Sequence, residues 1–307
     1  SVNVTPVNDA PTLNAISDPA AILEDAGQQT LNFSGISNGP NESGQTMTVT
    51  ATSDNTALIP NPTVTYTSPN ATGSLSYTPV ANANGSATIS VKVQDNGGTA
   101  NGGADMITRQ FTVNVTAVND PPTMNTIPDP AAIPENSAQQ TVNLAGISAG
   151  PTNESSQTIT ISGVSTNTNL VPNPTVTYAS PNATGSVSYT PAANVFGSAM
   201  LTLTVQDNGG TANGGIDSIQ RSFKVVVNPT PEQVKSGPKI SKGVNGAYLL
   251  NFIGNPGTQY TVQYSSDLTP NSWATLGLRT ADDSGMFSIN DTPPAGTTRR
   301  FYRAIIP

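Results

Sequence analysis

Shifted by 111 positions, the chain matches itself: Val7-Asn8-Asp9-Ala10-Pro11-Thr12 reappears as Val118-Asn119-Asp120-Pro121-Pro122-Thr123. Asp18-Pro19-Ala20-Ala21-Ile22 returns at 129–133 and, one inserted residue later, Pro60 to Tyr66 returns from Pro172 to Tyr178. Val93-Gln94-Asp95-Asn96-Gly97-Gly98 and the Thr-Ala-Asn-Gly-Gly that follows return from Val205 to Gly215. A repeat this long is a whole domain rather than a unit of a solenoid.

Inside each copy, short runs of alternating apolar and polar residues stand between turn signals. In the first copy they are Met47 to Thr50, Val64 to Tyr66, Leu75 to Tyr77, Ile89 to Val93 and Phe111 to Val115. This period of two is that of half-buried strands. About seven such strands in roughly 110 residues, with no helical periodicity, fit a two-sheet Greek-key sandwich of immunoglobulin-like type. Only 10% of residues are charged and 35% are apolar, while Thr, Asn, Ser, Gly and Pro abound. That mixture suits strands and turns, and the regular alternation argues against disorder.

The chain has no His and no Cys, which removes imidazole bases, thiolate nucleophiles, structural zinc and disulfides. Asp282-Asp283 sit on an apparent turn without a partner group, and the Gly-rich stretches lack the Lys and following helix of a phosphate loop. An enzyme is therefore not expected. Residues 1–230 hold 14 acids against Lys92, Arg109, Arg221 and Lys224, whereas residues 231–307 hold five acids and seven bases. The acidic part repels phosphate backbones, so nucleic acid is not an expected partner, and its carboxylates need a counter-charge such as a divalent cation. The longest apolar cluster, near Tyr248 to Ile253, is far too short to span a bilayer.

Val2-Asn3-Val4-Thr5 matches Val113-Asn114-Val115-Thr116, the last strand of the first copy. Residues 1–7 thus read as the last strand of a preceding repeat, part of a longer covalent array, or as a donor strand that completes a neighbouring subunit in head-to-tail self-association. Repeat 1 then covers 8–117 and repeat 2 covers 118–230. The second linker, Asn228-Pro229-Thr230-Pro231-Glu232, departs from the first, and a different domain follows over 236–307. It holds eight of the chain's sixteen aromatics, including Trp273, and three alternating runs. The expected fold class is all-β: tandem Greek-key sandwiches plus a smaller C-terminal sandwich.

The linker Ala117 to Thr123, Glu24 and Glu135 near each repeat's start, and the Asp95 and Asp207 loops together resemble bacterial cadherin-like, immunoglobulin-like tandem repeats. Tyr260 to Ser266 and Arg300 to Ala304 resemble fibronectin type III-like C-terminal modules of secreted bacterial proteins. The first resemblance implies a large secreted or surface protein in which Ca²⁺ at the domain junctions stiffens a rod. Independently, Ca²⁺ takes six to eight oxygens, which must converge from separate loops where no contiguous binding loop exists. Glu24, the turn from Asp95 to Asp105, and Asn119-Asp120 are expected to meet at one end of repeat 1. Glu135, Asp207 and Asp217 form the equivalent set of repeat 2, weaker because the second linker has lost its Asp. The alternative is that Asp95-Asn96-Gly97-Gly98 is only a hairpin turn capped by its own side chain. Asp105 and Asp217 can likewise be satisfied by Arg109 and Arg221.

The leading expectation is a non-enzymatic, extracellular structural protein: a calcium-stiffened filament subunit or adhesin stalk at a bacterial surface. The alternative is a glycan- or surface-binding accessory module in which Trp273, Tyr260 and Tyr264 form a stacking surface, against which stands the need of a small sandwich for large core side chains.

Overall fold

The structure is a computed structural model that describes residues 5–40, 42–243 and 246–306. It is all-β, with immunoglobulin-like sandwiches in tandem. In repeat 1 the strands are β1 (Ile22–Leu23), β2 (Gln29–Ser34), β3 (Met47–Ser53), β4 (Thr63–Thr65), β5 (Thr72–Tyr77), β6 (Gly85–Asp95) and β7 (Met106–Thr116). One sheet has the order β1-β7-β6-β3 and the other β2-β5-β4. Strict alternation along β6 turns Ala87, Ile89, Val91 and Val93 inward, where they pack with Phe33, Leu58, Ile59, Leu75, Phe111 and Val113. Asp95 continues the same alternation, so the strand that builds the core also turns a carboxylate inward at its end.

Repeat 2 reproduces this plan with β8 (Ile133–Pro134), β9 (Gln140–Ala145), β10 (Thr160–Ser165), β11 (Thr175–Thr177), β12 (Thr184–Tyr189), β13 (Gly197–Gln206) and β14 (Ser218–Asn228). Its sheets are β10-β13-β14-β8 and β11-β12-β9, closed over Leu144, Leu170, Val187, Leu201, Leu203 and Phe223. A short helix, α1 (Pro231–Lys235), follows. Thr230 Oγ accepts from the Gln233 amide while Gln233 Oε1 accepts from the Thr230 amide, and Pro231 stands where no helical N–H is needed.

The C-terminal domain is a sandwich of two three-stranded sheets. Its strands are β15 (Lys239–Lys242), β16 (Tyr248–Ile253), β17 (Gln259–Ser265), β18 (Ala274–Thr280), β19 (Met286–Asp291) and β20 (Phe301–Ile305), in orders β15-β16-β19 and β18-β17-β20. Phe287 stacks between Phe252, at 5.1 Å, and Tyr260, at 4.8 Å, in its core. No helix among the described residues is long and apolar enough to cross a membrane.

By contacts the chain divides into two compact units. The first contains residues 1–120 together with 151–156 and 209–216; the second contains 121–150, 157–208 and 217–307. The linker Val118 to Asp120 and two loops of the second repeat thus belong with repeat 1.

Candidate functional site

At one end of the first unit, the parallel pairing of β1 with the last residues of β7 fixes the segment that carries Glu24. Ile22 lies opposite Val115, and the Glu24 amide continues the ladder to the Thr116 carbonyl at 2.9 Å. The Glu24 side chain is 4% exposed; Oε1 accepts from the Val118 amide at 2.6 Å and Oε2 from Asn153 Nδ2 at 3.2 Å. Asp25 takes the left-handed conformation, φ 61°, and accepts from the Asn82 amide at 2.9 Å. The Asp120 amide donates to Glu154 Oε1 at 2.8 Å, while Asp120 Oδ2 is buried without a hydrogen-bond partner. Burial, reinforced by the negative charge of Asp25, pushes the Asp120 carboxyl above its ordinary range. Asn119 is fixed by backbone: its Nδ2 donates to Ile216 O at 2.8 Å and its carbonyl accepts from the Ile216 amide at 2.9 Å.

Glu24 thus holds the linker at Val118, next to Asn119 and Asp120, whereas Asp95 and Asp105 lie elsewhere. The strands β6 and β7 are antiparallel, with Gly85 opposite Val115 and Gln94 opposite Met106. Ten residue steps along β7 place the two groups about 33 Å apart, at opposite poles. At its own pole Asp95 is 5% exposed; Oδ1 accepts from Asn8 Nδ2 at 3.0 Å and from the Gly97 amide at 2.9 Å. The expected self-capped turn is thus present, with a linker-type Asn added to it. Asp105 is held by Gln94 Nε2 at 3.1 Å and Asp217 by Gln206 Nε2 at 3.1 Å. Neither pairs with Arg109 or Arg221, whose Nε atoms donate instead to the carbonyls of Leu13, at 3.1 Å, and Met124, at 2.9 Å.

Repeat 2 splits its residues in the same way. Asp207 and Asp217 meet backbone to backbone at 3.0 Å beside the start of β14, whereas Glu135 lies by its end, its amide bonded to Asn228 O at 2.9 Å. Glu135 is 8% exposed and its Oε2 is buried without a hydrogen-bond partner. The register, Thr116 with Leu23 and Asn228 with Pro134, makes Thr230 the counterpart of Val118 and Glu232 the counterpart of Asp120. The Thr230 amide is taken by Gln233, and Glu232 is exposed on α1. Helix α1 has replaced the linker that serves Glu24.

Sequence reasoning missed Asp25, Asn153 and Glu154 in the first unit. The available signal was the twice-occurring Asn-Glu-Ser, at 41–43 and 153–155, in a chain with few acids. Among the described residues no three Asp or Glu side chains are gathered tightly enough to form a ready-made metal cage. The acids at this end are Glu24, Asp25, Asp120 and Glu154, with Glu154 bonded to the Asp120 amide and Asp25 adding its negative charge to the surroundings of the Asp120 carboxyl.

Of the expected assembly strand, Val2, Asn3 and Val4 lie outside the described residues, and Thr5 is exposed and outside any strand. The three aromatics of the expected stacking surface are placed differently from one another. Tyr260 is 2% exposed in the core, and the rings of Tyr264 and Trp273 are covered by the guanidinium groups of Arg300, at 3.9 Å, and Arg303, at 4.0 Å.

The two repeats match the family model described as bacterial Ig domain, over residues 8–107 and 119–218. The chain belongs to this family. Bacterial Ig domains are typically surface or extracellular and typically non-enzymatic. Among solved structures, a mouse cadherin-23 fragment, EC22-24, is 14% identical, with a TM-score of 0.39, over 92% of this chain and 88% of that one. The titin I-band fragment I67-I69 is 12% identical, with a TM-score of 0.29, over 96% and 93%. Domains 5-6 of the S-layer protein SbsC are 18% identical, with a TM-score of 0.22, over 69% and 98%. No curated protein matches the chain.

Proposed function

We propose that this tandem bacterial Ig chain is a non-enzymatic stalk of an extracellular adhesin or surface filament whose first linker is stiffened by Ca²⁺. The observation that carries this reading is Asp120, whose Oδ2 is buried without a hydrogen-bond partner and lies close enough to Asp25 to feel its negative charge. A hard divalent cation would supply the missing positive charge and tie the linker to the Glu24 loop. The residues that would hold it are Glu24, Asp25, Asp120 and Glu154, helped by backbone carbonyls. At the second linker, where α1 stands and Glu232 is exposed, the reading assigns no calcium.

The test is thermal unfolding of the full chain in calcium and in excess chelator. For a dissociation constant in the range of extracellular modules, 10 mM calcium adds about 1.4–2.7 kcal/mol. An identical melt in chelator overturns the calcium assignment. The stalk role is tested by attaching purified chain to beads and comparing its extension under force with and without calcium.

A further inference from the structure

The C-terminal domain is the part of the chain in which bases outnumber acids, seven to five over residues 231–307, against four bases and 14 acids over residues 1–230. An acidic ligand is therefore drawn to this domain and repelled by the repeats. The inner face of its first sheet also ends in chemistry rather than in core. Along β19 the inward positions are Phe287, Ile289 and then Asp291, and Tyr248 of β16 is paired opposite Asp291. Beside this row lies a pocket of about 330 Å³, at the small end of the range for ligand sites. Tyr248, Tyr302, Pro293 and Pro294 form its walls, and Thr298, Arg299 and Arg300 also line it.

Arg300 is held in place by the protein itself. Its Nη1 donates to both oxygens of Asp291, at 2.7 and 2.6 Å, and its guanidinium carbon lies 3.9 Å from the centre of the Tyr264 ring. The Tyr302 hydroxyl donates to Asp291 Oδ2 at 2.8 Å. Asp291 is 3% exposed, and its charge is balanced by Arg300, so it does not drive an anion from the pocket. Arg300 keeps its Nε and Nη2 hydrogens without a partner among the described residues. Arg299 gives its Nε to Ser266 O at 2.9 Å and keeps both Nη groups. The lining thus presents two planar guanidinium groups and one uncompensated positive charge, that of Arg299. A single carboxylate matches that set in shape and in charge. Two phenol rings, two prolines and the Thr298 hydroxyl make a mixed surface that suits a sugar ring, apolar on its C–H face and polar at its edge.

We propose that this pocket binds one uronate residue of an acidic polysaccharide, with the sugar carboxylate taken by Arg299 and Arg300 and the ring seated among Tyr248, Tyr302 and the prolines. The site gives the C-terminal sandwich a recognition role beyond that of a stalk, and it stands whether or not the first linker binds calcium.

The test is calorimetric titration of the full chain with hexagalacturonate, with neutral maltohexaose and with hexaglutamate, all in excess chelator so that calcium cannot bridge uronates to the acidic repeats. Hexagalacturonate is expected to bind, and the other two at least roughly ten-fold more weakly. Arg299→Gln is expected to weaken hexagalacturonate roughly ten-fold, the loss of charge-assisted bonds to one carboxylate. Arg303→Gln removes the same charge from a guanidinium that lies over Trp273 and does not line the pocket, and it is expected to change nothing. Absence of hexagalacturonate binding to the native chain overturns the proposal. Equal weakening by the two variants also overturns it, since that marks general charge attraction. Hexaglutamate bound as tightly as hexagalacturonate makes the site one for acidic peptides, and maltohexaose bound as tightly removes the role of the arginines; either result sinks the uronate assignment. If Arg299→Gln fails to fold, Arg299→Lys, which keeps the charge and loses the planar fork, is read by the same criterion. Neither result bears on the linker, because calcium is absent throughout.

Discussion

Burial and the nearby Asp25 carboxylate hold the Asp120 carboxyl above the ordinary carboxylate range. The folded state therefore keeps this proton to higher pH than the unfolded state does. In the absence of a cation, the ionised group opposes folding at neutral pH, and that cost is relieved as pH falls through the raised folded value. Asp120→Asn removes the charge and leaves the backbone bond from residue 120 to Glu154. In chelator the variant is expected to melt higher than the native chain at neutral pH, and the gap is expected to narrow on acidification. In saturating calcium the order should reverse, because a ligand has been lost. The pair of melts checks both signs, and a variant that melts lower in chelator at neutral pH contradicts the assigned strain. Glu24 differs in kind: both of its oxygens are engaged, by Val118 and Asn153, so Glu24→Ala is expected to cost about 1–3 kcal/mol even without calcium.

Two long antiparallel strands in each repeat decide which acids can meet. Because β6 and β7 are each eleven residues long and pair along nearly their whole length, residues at their turn cannot reach residues at their outer ends. The Gly-rich turn then acts as a collar for the linker Asn. Gly97→Ala is expected to displace Asn8 and cost about 1–3 kcal/mol, the range for forcing extra volume into a packed site. Gly27→Ala, where an added Cβ meets nothing within 4 Å, is the matched control and should be near neutral. Chemical denaturation of the two variants measures the difference. The collar was legible as a twice-repeated motif, but its purpose was not, since Asn8 and Gly97 are far apart in sequence and touch only after the sandwich has closed.

At the scale of the whole molecule, the second unit joins repeat 2 to the C-terminal sandwich through one turn. The Ser198 amide donates to the Asp283 carbonyl at 2.6 Å, and the Asp283 carboxylate accepts from Lys224 Nζ at 2.7 Å and Ser198 Oγ at 2.8 Å. Asp283, an unpaired turn residue by sequence, is thus a docking residue. The ion pair is largely exposed, 35% and 76%, so Lys224→Met is expected to cost no more than about 1 kcal/mol. Backbone fit matters more. Gly197 has φ 139°, and a Cβ there would lie 2.9 Å from the Asp283 carbonyl. Gly197→Ala should therefore uncouple the C-terminal sandwich from repeat 2, seen in calorimetry as two separated transitions where the native unit gives one. Unchanged calorimetry in this variant would show that the turn does not couple the two sandwiches.

The amino-acid order by itself determined the duplication, the strands and the all-β class, because alternation and turn chemistry are local properties. It also determined that the acids of the first 230 residues far outnumber the bases. Only the tertiary structure decided which acids share a pole, because that depends on strand length and register. It separated Asp95 from Glu24, drew Asp25 and Glu154 to Asp120, and gave the Thr230 amide to Gln233 so that Glu135 lost the counterpart of its partner. It also covered Trp273 and Tyr264 with arginines, a pairing of residues 30 and 36 positions apart that no local pattern announces. Convergence across such separations is settled by how sheets pair and close, and a linear pattern holds no distance information beyond its own strand.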